Sequence, residues 1–395
     1  MENSTNLYNL EHRVGELLYP GRTAQDRELN KVLLKDYDYE KYVEGLTGYA
    51  GQDLQNIAVV RRYGAKRTRI GSRGHYKAGL AFGSGIVYAA PCVALRGKGP
   101  YDVSFKIQVY ASRDMGLSWE KINKTELDGK EPSLLYLDDG TLLLTAQPIM
   151  EGKMGYQLPV YRSADGGVTW SKETLDGNRD YPRNLFLDKD KSIVFMRCSA
   201  VRFEFEEELA EKGNPTLEIN RSIDGGRTWS RCTGVIKDWD YPGFMEVASL
   251  RLPSGRLVAA LRHQPSGTKG EGFENTLLTW SSDNGTTWTR PVQVSGTGEV
   301  HFHMTLLEDG RLLATYSHYH LPYGVCAMLS ADEGETWDRD NIFQLALSAD
   351  YYTGWGATCQ LPDGGLITSY ASTPYLCEPP DTTVCEAVSW RIPGL

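Results

Sequence analysis

Apolar and polar positions alternate along most of the chain in short runs, and a pair of turn residues cuts each run. PSLLYLDDGTLLLTAQ, ASLRLPSGRLVAALR, MTLLEDGRLLATYS and ATCQLPDGGLITSY all read as strand, Asp-Gly or Ser-Gly turn, strand. AGLAFGSGIVYAAP and NLFLDKDKSIVFMR are weaker copies of the same design. The six copies return at a period of roughly 50 residues, which leaves room for about four short strands in each. This pattern predicts an all-β chain folded as a six-bladed β-propeller.

A second repeat follows five of these copies. SRDMGLSW starts at Ser112, SADGGVTW at Ser163, SIDGGRTW at Ser222, SSDNGTTW at Ser281 and SADEGETW at Ser330. The form S-x-D-x-G-x-[ST]-W returns at intervals of 51, 59, 59 and 49 residues. Ser and Asp side chains can bond downstream backbone N–H groups, Gly admits positive φ, and Trp anchors the turn on the sheet. Such a box closes a turn and carries no chemistry, so it is expected on the rim away from an active face. The sixth copy has no box. A strand near Val384 (VCEAVSW) or near Ile57 (IAVVRRY) is expected to complete its blade, so that the start of the chain closes the ring against the end. Residues 1–55 lie outside the repeats. The stretch from Asp26 to Tyr42 is charged and helix-like, so a partly helical N-terminal arm is expected against a propeller of residues 56–395.

Composition narrows the function classes. The formal net charge of −9 argues against a general nucleic-acid binder, which needs a basic stripe. No apolar run approaches ~18 residues, so no transmembrane helix is expected. The opening MENSTNLYNLEHRVGELL lacks a basic region followed by an apolar one, which reads as cytoplasmic, or as secreted if a leader has been removed. The seven cysteines are odd in number and form no CxxC pair, so they read as scattered thiols. No cofactor is implied.

The first strand of every blade lines the central channel of a propeller, so equivalent residues form a ring. Nine residues before the turn glycine stand Glu131, Glu246, His301 and Trp355, with Tyr76 and Tyr181 in the weaker copies. Seven residues after it stand Cys92, Gln147, Arg197, Arg262, Ser317 and Ala371. Carboxylates, a histidine and aromatics converging on one funnel are unlike an apolar plug. His75 adjoins the ring. His301 and His303 flank Phe302 and are expected on one face of their strand. The His-x-His pair lacks a clear third ligand, so no metal site is predicted. Proton transfer or anion binding fits better.

The boxes resemble the Asp-boxes, or BNR repeats, of the sialidase (neuraminidase) superfamily, and the resemblance covers roughly residues 57–395. In that family three arginines hold a sugar carboxylate, a Glu-activated Tyr attacks the anomeric carbon, and an Asp is the acid/base. Residue by residue, the resemblance implies Glu246 as the activating Glu, Arg262 as the Arg ending the next strand, Asp102 as the acid/base and Arg96 as a binding Arg. Three features depart from it. His75-Tyr76-Lys77 replaces the opening Arg-Ile-Pro, HFH stands where a third Arg is expected, and Trp355 takes the place of the nucleophilic Tyr. Tyr351 or Tyr352 replaces that Tyr only if the loop is rearranged.

Lys77, Arg262 and His303 form an alternative carboxylate clamp, with Lys a point charge lacking the fork of Arg. The leading reading is a glycoside hydrolase cleaving a terminal, acidic sugar from a glycan. Asp102 is its acid, Glu246 its base or the activator of Tyr352, Tyr351 or Tyr181, and Trp355 a stacking platform. His301 completes the catalytic candidates. His75, Lys77, Arg96, Glu131, Tyr181, Arg262, His303 and Trp355 are the binding candidates. The alternatives are a polysaccharide lyase acting beside a uronic acid with His and Tyr, and a non-catalytic carbohydrate-binding propeller.

Overall fold

Each strand–turn–strand copy forms the inner half of one antiparallel sheet, and the six sheets follow one another around a ring. The computed structural model describes residues 57–59, 66–72, 74–96, 103–147, 149–150, 156–177, 182–198, 216–236, 244–263, 274–319, 324–347, 353–372 and 383–392. The predicted N-terminal arm lies outside the described residues. The innermost strands of blades one to six are His75–Gly83, Ser133–Tyr136, Phe186–Leu187, Phe244–Arg251, Glu299–Leu306 and Gly354–Gln360. The second strands are Ile86–Arg96, Leu142–Thr145, Ile193–Cys198, Leu257–His263, Leu312–His318 and Leu366–Ser372. Among the described residues there is no helix, and so none long and apolar enough to cross a membrane.

Burial follows from the radial stacking. A blade has a neighbour on both faces, so its middle strands are buried throughout; every residue of Leu257–His263 is buried. The apolar clusters therefore lie between blades, the largest joining Phe186, Val258, Trp280 and Phe302 of blades three to five.

The boxes bind each blade to the one before it. In the second box Ser163 Oγ donates to Asp165 (2.8 Å) and accepts from Gly167 N–H (2.9 Å), while Thr169 N–H and Oγ–H donate to Asp165 (2.9 and 2.6 Å). Trp170, Trp229, Trp288 and Trp337 each donate Nε1–H to the carbonyl of their own box glycine at 2.9, 3.2, 3.0 and 3.1 Å. A Cβ on Gly167 would stand 2.9 Å from Ile122 of blade one, and one on Gly226 2.8 Å from Leu143 of blade two. The first box reaches around the ring instead: Trp119 Nε1–H donates to Thr68 (3.0 Å), and a Cβ on Gly116 would meet Ile367 of blade six at 3.0 Å. Ser163 pairs with Leu142 beside the Gly140 turn, so the boxes lie at the end of the ring opposite the start of the inner strands.

The ring closes with strands from both ends of the chain. Val384–Trp390 is the third strand of blade six, and its outer neighbour is the antiparallel strand Lys66–Ile70. The segment at Ile57 does not complete blade six; Ile57–Val59 pairs in parallel with Ile342–Leu347 at the edge of blade five. Strands three and four of blade six are thus not consecutive in the chain, and no turn joins them to carry a box.

Candidate active site

Five non-glycine residues at one point of five blades hold left-handed backbone. Lys77, Glu131, Glu246, His301 and Trp355 have φ of 48°, 55°, 55°, 60° and 51°. This conformation costs about 1–2 kcal/mol for a side-chain-bearing residue, so its recurrence marks a site rather than an accident. In blades one, four, five and six the residue sits in a β-bulge of the innermost strand, which turns its side chain out of the ladder.

Two ring positions shift by one residue. Blade one turns through a shorter hairpin, from Gly83 to Ile86, and its left-handed residue is Lys77 instead of Tyr76. In blade three Lys191, at φ 66°, closes the turn as Gly140 does in blade two, each N–H bonding a carbonyl three residues back at 2.9 Å. Counting from Lys191 gives Pro182 in place of Tyr181. Proline fixes φ near −65°, so blade three alone cannot present a left-handed residue. The same offset removes Arg197 from the second ring; it pairs with Glu218 and donates to the Asp176 carbonyl at 2.7 Å.

The five side chains form one buried circuit. The Lys77 ammonium donates to Glu131 and stands 3.8 Å from the centroid of the Trp355 ring. Lys130 pairs with the same Glu131 oxygen at 3.4 Å. Trp355 packs on His301 with ring centroids 4.8 Å apart. His301 Nε2 lies 3.4 Å from Glu246 Oε2, and its Nδ1 lies 2.9 Å from Ser317 Oγ and 3.3 Å from the Tyr319 hydroxyl. Arg262 donates Nη1–H to Glu246, and Nε–H and Nη2–H to Glu274 at 3.0 and 2.6 Å. None of the five is more than 6 % exposed, and His301 is 0 % exposed.

Charge states follow from this packing. Burial pushes the Glu246 carboxyl up, but His301, Arg262 and Arg183 outweigh it and hold it well below the usual carboxylate range. Burial likewise opposes ionisation of Glu131, and Lys77 and Lys130 override it to about 2. Burial brings Lys77 down to about 8 despite Glu131. His301 falls to about 3, chiefly through burial, and is neutral. The site therefore holds two ionised carboxylates, on blades two and four, and a neutral imidazole.

Other candidates are placed apart. His75 bonds Gln108 at 2.8 Å and Ser72 O at 3.0 Å, and packs edge-on to Tyr110. The bulge between Val300 and His303 breaks the expected alternation, so His303 accepts from Thr358 N–H at 3.3 Å while His301 joins the circuit. Asp102, Tyr181, Tyr351 and Tyr352 lie outside the described residues, as does the side chain of Arg96. Arg183, Glu274 and Tyr319 were not anticipated. Arg183 follows Pro182, so anchoring the weak third copy on Lys191 reveals it. Tyr319 alternates with Ser317 along the strand edge. Nothing in the repeat marks Glu274.

Comparison with known proteins agrees with this architecture. Residues 210–362 match a family model described as a BNR repeat-like domain. A protein of unknown function from Dyadobacter fermentans superposes with a TM-score of 0.63 at 20% identity, covering 83% of this chain and 100% of its own. The alpha-L-arabinofuranosidase Arb93A of Fusarium graminearum, solved with an iminosugar inhibitor, gives 0.58 at 14% identity, over 80% of this chain and 93% of its own. The NanB sialidase of Streptococcus pneumoniae gives 0.56 at 12% identity, over 82% and 70%. The protein is a six-bladed β-propeller that shares its fold with this arabinofuranosidase and this sialidase, and its residues 210–362 are similar to the BNR repeat-like domain. At these identities the likeness is one of fold, and the chemistry rests on the site.

Proposed function

We propose that the protein is a glycoside hydrolase acting on a terminal, neutral sugar at the channel. The observation that carries this reading is Glu246: a left-handed, buried carboxylate held ionised by Arg262 where the inner strands converge. An ionised carboxylate serves as base or nucleophile and does not serve as the resting acid. That role falls to another carboxyl, for which Asp102 remains the candidate from sequence.

The charge balance favours a neutral sugar over the acidic one expected from sequence. Arg262 spends its donors on two carboxylates, and Lys77 is matched by Glu131. An anionic substituent would have to displace Glu131, Glu246 or Glu274 from the lysine or arginine that each already binds, and breaking such a buried pair is costly. Trp355 also reads differently from a stacking platform, since it is buried and carries Lys77 and His301 against its ring. Arabinofuranosidases among the similar folds act on such neutral sugars, which puts an aryl alpha-L-arabinofuranoside first in a substrate panel.

A panel of aryl glycosides, neutral and acidic, tests the reading. Turnover of a neutral glycoside is expected, with Glu246→Gln lowering kcat by about 10²–10⁴-fold. Turnover only of acidic glycosides would reverse the charge argument, and a Glu246→Gln variant as active as wild type would remove Glu246 from the chemistry. One observation favours a second reading: the Tyr319 hydroxyl beside neutral His301 suits proton abstraction from a uronic acid. An unsaturated, ultraviolet-absorbing product from a uronic-acid polymer would identify that eliminating activity.

A further inference from the structure

Arg183 enters the channel from blade three and is bonded to the opposite side of the ring. Its backbone N–H donates to Val247 O of blade four at 2.8 Å. Its Nη2–H donates to Gly356 O of blade six at 3.4 Å. Blades three and six face one another in a ring of six, so the guanidinium spans the channel next to the circuit.

Several buried or half-buried arginines among the described residues are neutralised where they stand. Arg251 forms a fork on Asp188 at 2.9 and 2.7 Å, and Arg339 one on Glu299 at 2.6 and 3.0 Å. Arg183 bonds a carbonyl, and its Nε is buried without a hydrogen bond. A guanidinium with no bonded carboxylate keeps its field, and low-dielectric surroundings carry that field further. The bonds of Arg183 place it beside Glu246, which precedes Val247, and beside Trp355, which precedes Gly356 and carries His301 against its ring; its field reaches Glu246, His301 and His303.

We infer that Arg183 is a positioning residue: laid across the channel, its charge adds to that of Arg262 in favouring the Glu246 carboxylate, and adds to burial in keeping both histidines neutral. Glu246 also faces Arg262 on its own blade, His301 on blade five, and at longer range Lys77 and Glu131 of blades one and two. Arg262 is shared with Glu274, and Lys77 is bound to Glu131, so each brings a compensating negative charge. Arg183 brings none.

The inference rests on the hydrolase reading only for its consequence in catalysis, and its test needs no substrate. Histidine titration by NMR, with His301 assigned from the signal lost in His301→Gln, reads the charge directly. In wild type His301 should stay neutral well below its ordinary value of 6.5. Arg183→Gln should raise its midpoint by about one pH unit, and Arg183→Lys, which keeps the charge, should leave it near wild type. Where a neutral glycoside is turned over, the acid limb of kcat/KM should rise with it in Arg183→Gln. A Gln variant whose His301 stays neutral as far down in pH as wild type overturns the inference, even if its melting temperature or KM has changed. Wild-type His301 titrating near 6.5 overturns it without any variant. A chain that hydrolyses no sugar yet shows the shift loses the hydrolase reading and keeps the role of Arg183.

Discussion

Lys77 shows how one residue's surroundings set its contribution. Its ammonium is buried, hydrogen bonded to Glu131 and stacked on Trp355, yet burial still lowers its pKa from 10.5 to about 8. Between those values the unfolded chain keeps a proton that the folded chain has released. Stability therefore rises with pH across that window, because the unfolded state binds more protons. Denaturant midpoints measured from pH 7 to 10 should show this rise in wild type and lose it in Lys77→Met. Glu131 acts with the opposite limits: its depressed pKa contributes stability above about 4.5, and that contribution is lost as pH falls toward about 2. From sequence, Lys77 reads as a substitute for a binding arginine. In the fold it is a counter-ion, since the residue facing it from blade two is a glutamate.

At the scale of elements, the box and the bulge divide the work of a blade. The box needs local chemistry, and every bond of the second box lies within a few residues of Ser163. Ser163 is buried and holds both Asp165 and the Gly167 N–H. Ser163→Ala leaves that buried N–H unmet, so a loss of about 1–2 kcal/mol is expected in urea unfolding, with any glycosidase activity unchanged. Because its partners are local, the box was legible from spacing and residue type. The bulge is a different kind of element. A residue count places it within one position, but the left-handed φ at Glu246, His301 and Trp355 depends on neighbouring blades that hold each side chain in place. The count slips by one residue in blades one and three for the same reason, since a shorter hairpin and a Lys191 turn displace its anchor.

For the molecule as a whole, closure is the cooperative step. Lys66–Ile70 is held to Val384–Trp390 by strand pairing, and to the first box through Thr68, which accepts from Trp119 and donates to Gly116 O at 2.7 Å. Ile70 is fully buried. Ile70→Ala should cost about 2–5 kcal/mol in chemical denaturation, and a chain starting after Ile70 should lose cooperative unfolding. The repeats alone dictate an all-β ring of six blades, because each box and hairpin is stabilised by contacts a few residues apart and leaves the same signature in every copy. They also place Glu131, Glu246, His301 and Trp355 around one channel. Which of these are charged, and which groups neutralise them, was decided only when the blades met. Arg262 reads as a clamp until Glu274 is seen on its other side, and Arg183 has no signature until it is found bonded to blade six. The first contact lies within blade four and the second joins blades three and six, and the electrostatics of a buried group depends on distances that no local pattern encodes.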